Sequence, residues 1–282
     1  MARSSAEEPL AGFVCSRRPL TVSPRSQQRT DVELRLLEGG SITLLIGGRV
    51  QWLPARRLSV YWAGMPHQVL AHEGRENWLM RIPLAWLLAR GLPANFINGL
   101  LEGRVFFEPD VDDFECDRFR MHLWSGDVGA ATPLTGRAMA LEVEARLTRM
   151  AATLPPKLPP LSRDSPSIRT APTKAEQLAG FISRQFTEPL DAARIGRAIQ
   201  AHPNYAMMLF RRRLGSTPIK YLTQNRLAGA MRLLLTTKDS IATIARQSGF
   251  GSSKRLNTTF RQSFKLSPSA FRREHAHLST VH

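Results

Sequence analysis

The chain has 282 residues, 43% hydrophobic and 22% charged, with a formal net charge of +16 at neutral pH. That length holds two domains of ordinary size, and the apolar content supports folded cores. Two cysteines, Cys15 and Cys116, are too few for a disulfide framework, and no run reaches signal-peptide or membrane-span length, so a soluble protein of a reducing cytoplasm is expected.

In chain order, residues 1–30 are rich in Ser, Arg and Pro and read as an irregular leader. From Asp31 the pattern becomes strand-like. Val32, Leu34 and Leu36 alternate with polar residues, as do Ile42, Leu44 and Ile46; Gly47-Gly48 offers a two-residue hairpin turn, and Val50 and Trp52 resume the alternation. Leu58 to Trp62 and Trp78 to Ile82 read as further strands. Short strands at this spacing predict a small sandwich or barrel, since closure hides strand edges.

Beyond Ile82 the spacing is helical, over 83–90, 93–101, roughly 111–124 and 133–150. Pro83 and Pro93 suit first helical positions. The last of these helices, with Leu134, Met139, Leu141, Val143 and Leu147, is a core helix and a candidate dimer contact. Residues 151–173, with Pro155-Pro156 and Pro159-Pro160, predict an extended spacer. It separates a β-rich domain at 31–150 from a helical domain at 174–274, and residues 275–282 form a tail.

The basic charge sits in the second domain. From residue 175 onward there are 17 Lys and Arg against 5 Asp and Glu, whereas the first 174 residues hold 22 against 18. A concentrated positive field attracts polyanions. The same segment contains a repeat at an offset of fifty: Phe210-Arg211-Arg212-Arg213-Leu214-Gly215-Ser216-Thr217-Pro218 and Phe260-Arg261-Gln262-Ser263-Phe264-Lys265-Leu266-Ser267-Pro268. Two copies fall short of a solenoid, which needs about three, and point to a duplicated recognition module.

Each copy ends a pair of short helices joined by a tight turn, the helix-turn-helix pattern, at about 191–213 and 240–264. A linking helix of about twenty residues, roughly 30 Å long, sets the units close to one turn of B-DNA apart. With Ala206, Leu209 and Phe210 inward in one unit and Leu256 and Phe260 in the other, the candidate readers are Asn204, Met207, Met208 and Arg211, then Ser253, Lys254, Asn257, Thr258 and Arg261. Asn257 is suited to adenine and Lys254 to guanine, while the methionines are limited to thymine methyls and shape. Arg211, Arg212, Arg213 and Arg261 suit phosphates, and Arg255 completes the DNA-contacting set.

These residues resemble the AraC/XylS-type transcriptional regulators. The resemblance covers about 174–274 and rests on the paired units, the link from Arg226-Leu227-Ala228 to Leu233-Leu234-Leu235, Ile241-Ala242 with Ile244-Ala245, Gly249-Phe250, Phe260, and Ser267-Pro268 with Phe271-Arg272. His202 to Met207 and Tyr61 to Gln68 look like the branch that includes regulators of the melibiose operon. The resemblance implies an α+β chain of two domains: a cupin-like β-barrel or sandwich with flanking helices, then an all-α domain with two helix-turn-helix units. It also implies RNA polymerase as a partner and activation as the usual output. Lys265 departs from the pattern, standing where the second unit usually has glycine. A left-handed non-glycine residue costs about 1 kcal/mol or more, so a small distortion is expected with the fold kept. Gln27, Gln28 and Asp31 stand where metal-binding cupins carry histidines before Glu33, so neither metal nor other cofactor is expected.

All five tryptophans, Trp52, Trp62, Trp78, Trp86 and Trp124, fall in the first domain. Core packing explains any one of them, yet an aromatic platform also suits a sugar. Trp62, His67 and Glu33 are the candidate effector contacts. The expected function is non-enzymatic: a cytoplasmic, nucleoid-associated regulator that binds double-stranded DNA, activates a catabolic operon in response to a small molecule, and is compatible with a homodimer. The alternative is a cupin-type enzyme with a DNA tether, its metal on Glu33, His67 and His72. RNA binding is the weaker reading, because the second domain lacks the usual aromatic stacking platform.

Overall fold

Alternation in the sequence becomes two-sided burial in the computed structural model, which describes residues 12–110, 112–129, 132–161 and 172–275. Among the described residues, eight strands form the β-rich half: β1 (Val14–Pro19), β2 (Val32–Leu37), β3 (Ile42–Ile46), β4 (Arg49–Leu53), β5 (Leu58–Trp62), β6 (His67–His72), β7 (Glu76–Ile82) and β8 (Val105–Phe107). They make a five-stranded sheet, ordered β1-β7-β2-β5-β8, and a three-stranded sheet, ordered β4-β3-β6. All pairings are antiparallel. Leu37, Ile42, Leu44, Ile46, Tyr61 and Val69 fill the space between the sheets. Val32, Leu34, Leu36, Val60 and Trp62 point the other way, into the core beneath the helices, because successive residues of a strand face opposite sides.

The leader is not irregular throughout. Val14–Pro19 forms edge strand β1, pairing Val14 with Arg81 and Pro19 with Glu76. Its proline sits at the strand end, where a missing ladder donor is tolerated. Residues 20–29 then run along β6: Ser23 donates its backbone N–H to Val69 O at 2.9 Å, and Gln27 exchanges backbone bonds with His67. Strand β6 itself, His-Gln-Val-Leu-Ala-His, lacks clean alternation, and the register against β3 shifts between Thr43 and Leu44.

Four helices cover the larger sheet: α1 (Leu84–Leu88), α2 (Ala94–Leu101), α3 (Phe114–Gly129) and α4 (Pro133–Ala152). Pro83 and Pro93 are N-caps and not first helical residues, while Pro133 does occupy that place. The expected start of α3 near Val111 falls on a residue outside those described; the helix begins at Phe114. A buried ionic knot ties α3 and α4 to the end of β8. Arg146 makes two 2.7 Å bonds to Asp117 and a 2.6 Å pair with Glu108. Burial works against the Arg146 guanidinium, but these carboxylates hold its pKa above the ordinary arginine value.

The proline-rich spacer lies partly along the β-rich half, where Asn95 donates to Pro155 O at 2.8 Å and Arg104 donates to Pro159 O. Residues 162–171 of it lie outside those described. The helical half comprises α5 (Lys174–Arg184), α6 (Ala192–Ala198), α7 (Pro203–Leu214), α8 (Pro218–Thr236), α9 (Ile241–Gln247), α10 (Ser253–Phe264) and α11 (Pro268–Glu274).

The outer face of the three-stranded sheet is covered by this half. Leu45, Val50 and Leu70 share one core with Leu178, Ile182, Phe210, Tyr221 and Leu222. Contact is close because the β3–β4 turn and α5 both present glycine. A β-carbon on Gly48 would meet Ser183 Oγ at 2.5 Å and Ala179 O at 2.7 Å, and one on Gly180 would meet Gly48 O at 3.0 Å. Gln28 fastens the leading segment to both sides, donating to Gly64 O and to Gln224 O at 2.8 Å each.

Candidate nucleic-acid interface

Each reader helix is set by a capped helix before it and a turn that fixes its angle. In the first unit Asp191 caps α6 by accepting from Arg194 N at 2.7 Å, and His202 Nδ1 accepts from Asn204 N at the start of α7. In the second unit Ser240 and Ser252 cap α9 and α10 in the same way. These caps satisfy backbone donors that a helix start leaves free. The turn between helices is one residue longer in the second unit, 248–252 against 199–202, and Gly249 and Gly251 take positive φ there. The repeated Thr/Ser-Pro then caps the next helix in each copy: Thr217 caps α8 and Ser267 caps α11, each with proline in the first turn. The linking helix α8 has 19 residues, about 28 Å at 1.5 Å per residue.

Burial divides the candidate readers. Ala206, Phe210 and Leu214 turn inward on α7, as Leu256 and Phe260 do on α10. Asn204, Met208, Arg211 and Arg212 are exposed, and so are Lys254, Arg255, Thr258 and Arg261. Met207 is half-buried against the first unit's core and stands apart from the outward stripe. Asn257, its counterpart at the offset of fifty, is half-buried too and donates its amide to Ser253 O at 2.9 Å. That bond uses one of the two hydrogens of the amide that an adenine would need. Ser253 is the half-buried first residue of α10. Tyr205, 46% exposed on the same helix as Met208, is a surface residue that the apolar spacing does not single out. The offset of fifty pairs it with Arg255, which would have found it.

At the exits of the reader helices, Gly215 and Lys265 both adopt left-handed backbone, with φ 61° in each. The departure at Lys265 leaves α10 and its exit in the same geometry as the glycine copy.

In the β-rich half, Glu33 and His67 come together and Trp62 does not join them. Tyr61 Oη donates to Glu33 Oε2 at 2.5 Å, Arg35 lies 3.5 Å from the same oxygen, and the Tyr61 and His67 rings meet edge-on at 5.7 Å. Burial works against the Glu33 carboxylate, but His67, Arg35 and the Tyr61 hydroxyl hold it below the ordinary carboxylate range. Burial lowers the His67 pKa despite the neighbouring carboxylate, and raises that of Tyr61. Trp62 points to the opposite face of its sheet and donates to Thr30 O at 3.2 Å. His72 turns to Gly74 O at 2.8 Å, away from the cluster. Among the described residues no three His, Cys, Asp or Glu side chains are grouped to hold a metal ion.

A family profile described as a helix-turn-helix domain matches residues 195–274. Over 258 residues, 89% of this chain and 84% of the relative, the sequence is 24% identical to the melibiose operon regulatory protein of Escherichia coli K12. It is 30% identical over 145 residues, about half of each chain, to the Msm operon regulatory protein of Streptococcus mutans. A solved transcriptional regulator from Chromobacterium violaceum, described as containing an AraC-type DNA-binding domain, is 28% identical with a TM-score of 0.34, covering 39% of this chain and 95% of its own.

Proposed function

We propose, on the premise that this chain is an AraC-type helix-turn-helix transcription regulator, that it activates a sugar-catabolic operon by setting α7 and α10 into successive major grooves. The carrying observation is the pair of outward stripes, Asn204, Met208 and Arg211 on α7 and Lys254, Thr258 and Arg261 on α10, in the two units that the 19-residue helix α8 links. Exposed Arg212 and Arg255 flank them for phosphate contact. Duplex selection from a random pool followed by footprinting tests the reading. Two protected sites about one helical turn apart are expected, with binding that weakens steeply as salt rises. Protection of a single site, or binding indifferent to salt, overturns it.

The Glu33, Arg35, Tyr61 and His67 cluster supports a polar effector, and the sugar-operon relatives favour a sugar. A sugar panel read by tryptophan fluorescence checks this; a flat response removes the sugar and leaves the regulator. The exposed Phe119, Leu123, Leu134 and Leu141 on α3 and α4 support a second copy as a partner there. RNA polymerase contact and a cytoplasmic, nucleoid-associated setting follow from the activator role, as does the absence of an enzyme reaction. Among the described residues no helix is long and apolar enough to cross a membrane.

A further inference from the structure

The leading segment of the β-rich half reaches the end of the first reader helix. On α7 the residues Asn204, Met208 and Arg211 come at i, i+4 and i+7, and Gly215 continues that stripe at i+11, where the helix exits. Pro24 and Arg25 lie on Gly215. A β-carbon there would overlap the Pro24 carbonyl oxygen and stand 3.2 Å from the Arg25 α-carbon. The segment is held on both sides of this contact, by Ser23 bonded to Val69 and by Gln28 bonded to Gly64 and Gln224. Arg25 is therefore fixed in place and not a passing neighbour.

Its surroundings are of its own sign. Gly215 is tied to the last turn of α7, donating its backbone N–H to Arg211 O at 2.9 Å. Four residues at 1.5 Å each put Arg211 about 6 Å away along the axis, with Arg212 and Arg213 between. Arg25 and all three of these arginines are exposed. Among the described residues the one carboxylate paired with the group is Glu176, 3.4 Å from Arg213. Like charges gathered with so little compensation repel, and a polyanion relieves the repulsion.

We infer that Arg25, a residue of the β-rich half, is a further phosphate-contacting residue of the DNA interface, extending the arginine patch of the first unit beyond the end of α7. This rests on the DNA-binding role proposed for α7 and α10. The interface then spans both halves of the chain, and the duplex is gripped on the flank of the first site by a side chain carried on the β-rich half.

The test uses the full chain and a duplex of about thirty base pairs of arbitrary sequence, since phosphate contacts are indifferent to sequence. Dissociation constants are measured across a salt series for wild type, Arg25→Ala and Arg25→Lys, with thermal unfolding of each. The slope of log affinity against log salt is expected to shrink by about 0.9 in Arg25→Ala, the value of one phosphate, and to be retained in Arg25→Lys, with unfolding midpoints unchanged. An Arg25→Ala slope equal to wild type overturns the inference. So does an Arg25→Lys slope as low as that of Arg25→Ala, which would mean a structural role. Wild type that binds no duplex at all sinks the regulator reading itself, a separate outcome.

Discussion

Gly215 and Lys265 leave their helices in the same conformation, φ 61° and ψ 13° in one, φ 61° and ψ 11° in the other. Only glycine adopts that region without cost. Lys265→Gly is therefore expected to stabilise the chain by roughly 1 kcal/mol, read as a higher urea midpoint with unchanged m-value. An unchanged midpoint would mean that the exposed lysine is relieved some other way.

The first copy has a second reason for glycine. Gly215→Ala adds the same backbone strain and also drives a methyl into the Pro24 carbonyl. Its loss of stability should exceed the roughly 1 kcal/mol of the strain alone, and the Ser23–Gln28 segment should become more open to proteolysis. Cleavage no faster than in wild type would show that the contact tolerates the methyl.

Lys254 and Asn257 separate by role. Lys254→Ala should lose roughly 1 to 3 kcal/mol at one base pair of a selected duplex, seen as relaxed preference at that position. Asn257→Ala removes the amide bonded to Ser253 O, so it should lower stability by about 1 kcal/mol and leave base preference intact. Quantitative binding to a panel of single-base variants distinguishes the two.

Arg146→Met strips a buried cation from Asp117 and Glu108, each less than a tenth exposed. Leaving Glu108 buried without its partner costs about 3 to 5 kcal/mol, while Asp117 keeps Arg120 at 3.0 Å. The urea midpoint should fall far more than for Arg118→Met, whose 2.7 Å pair with Glu115 is exposed.

Stability should decline on mild acidification. Burial depresses the His67 pKa below 6.5, so the unfolded chain takes up a proton that the folded one resists. Stability is then full above about pH 6.5 and lost as pH falls from there through the folded value, by at most about 1.4 kcal/mol per pH unit for this group. Thermal midpoints between pH 7.5 and 5.5 should fall in wild type and fall less in His67→Gln. Some slope remains from His275, depressed in the same direction by burial.

Much of this was legible because helices and caps are local. Asp191, Thr217 and Ser240 sit where their spacing to the next apolar run places an N-cap, and the offset of fifty carried one unit onto the other. The strands from Val32 to Trp62 were legible through period-two alternation. Strand β1 was not, since pairing with β7 depends on residues more than fifty positions away. At the site, burial of Phe210 and Phe260 gave the outward stripes, but the Asn257 bond to Ser253 is a rotamer choice that residue type does not reveal. Trp62 failed to join His67 because strand parity, not proximity in sequence, decides which side of a sheet a residue faces. Arg25 had no local signal at all; only the fold brings it to Gly215.

Strand β3 sends Leu44 and Ile46 toward the Glu33 and Tyr61 side and Leu45 into the core of the first reader unit. One thickness of backbone thus separates the packed core between the sheets from the core of the first unit. Any displacement of β3 is therefore shared by both cores without a connecting segment, and the stiffness of a single strand sets how much of it passes.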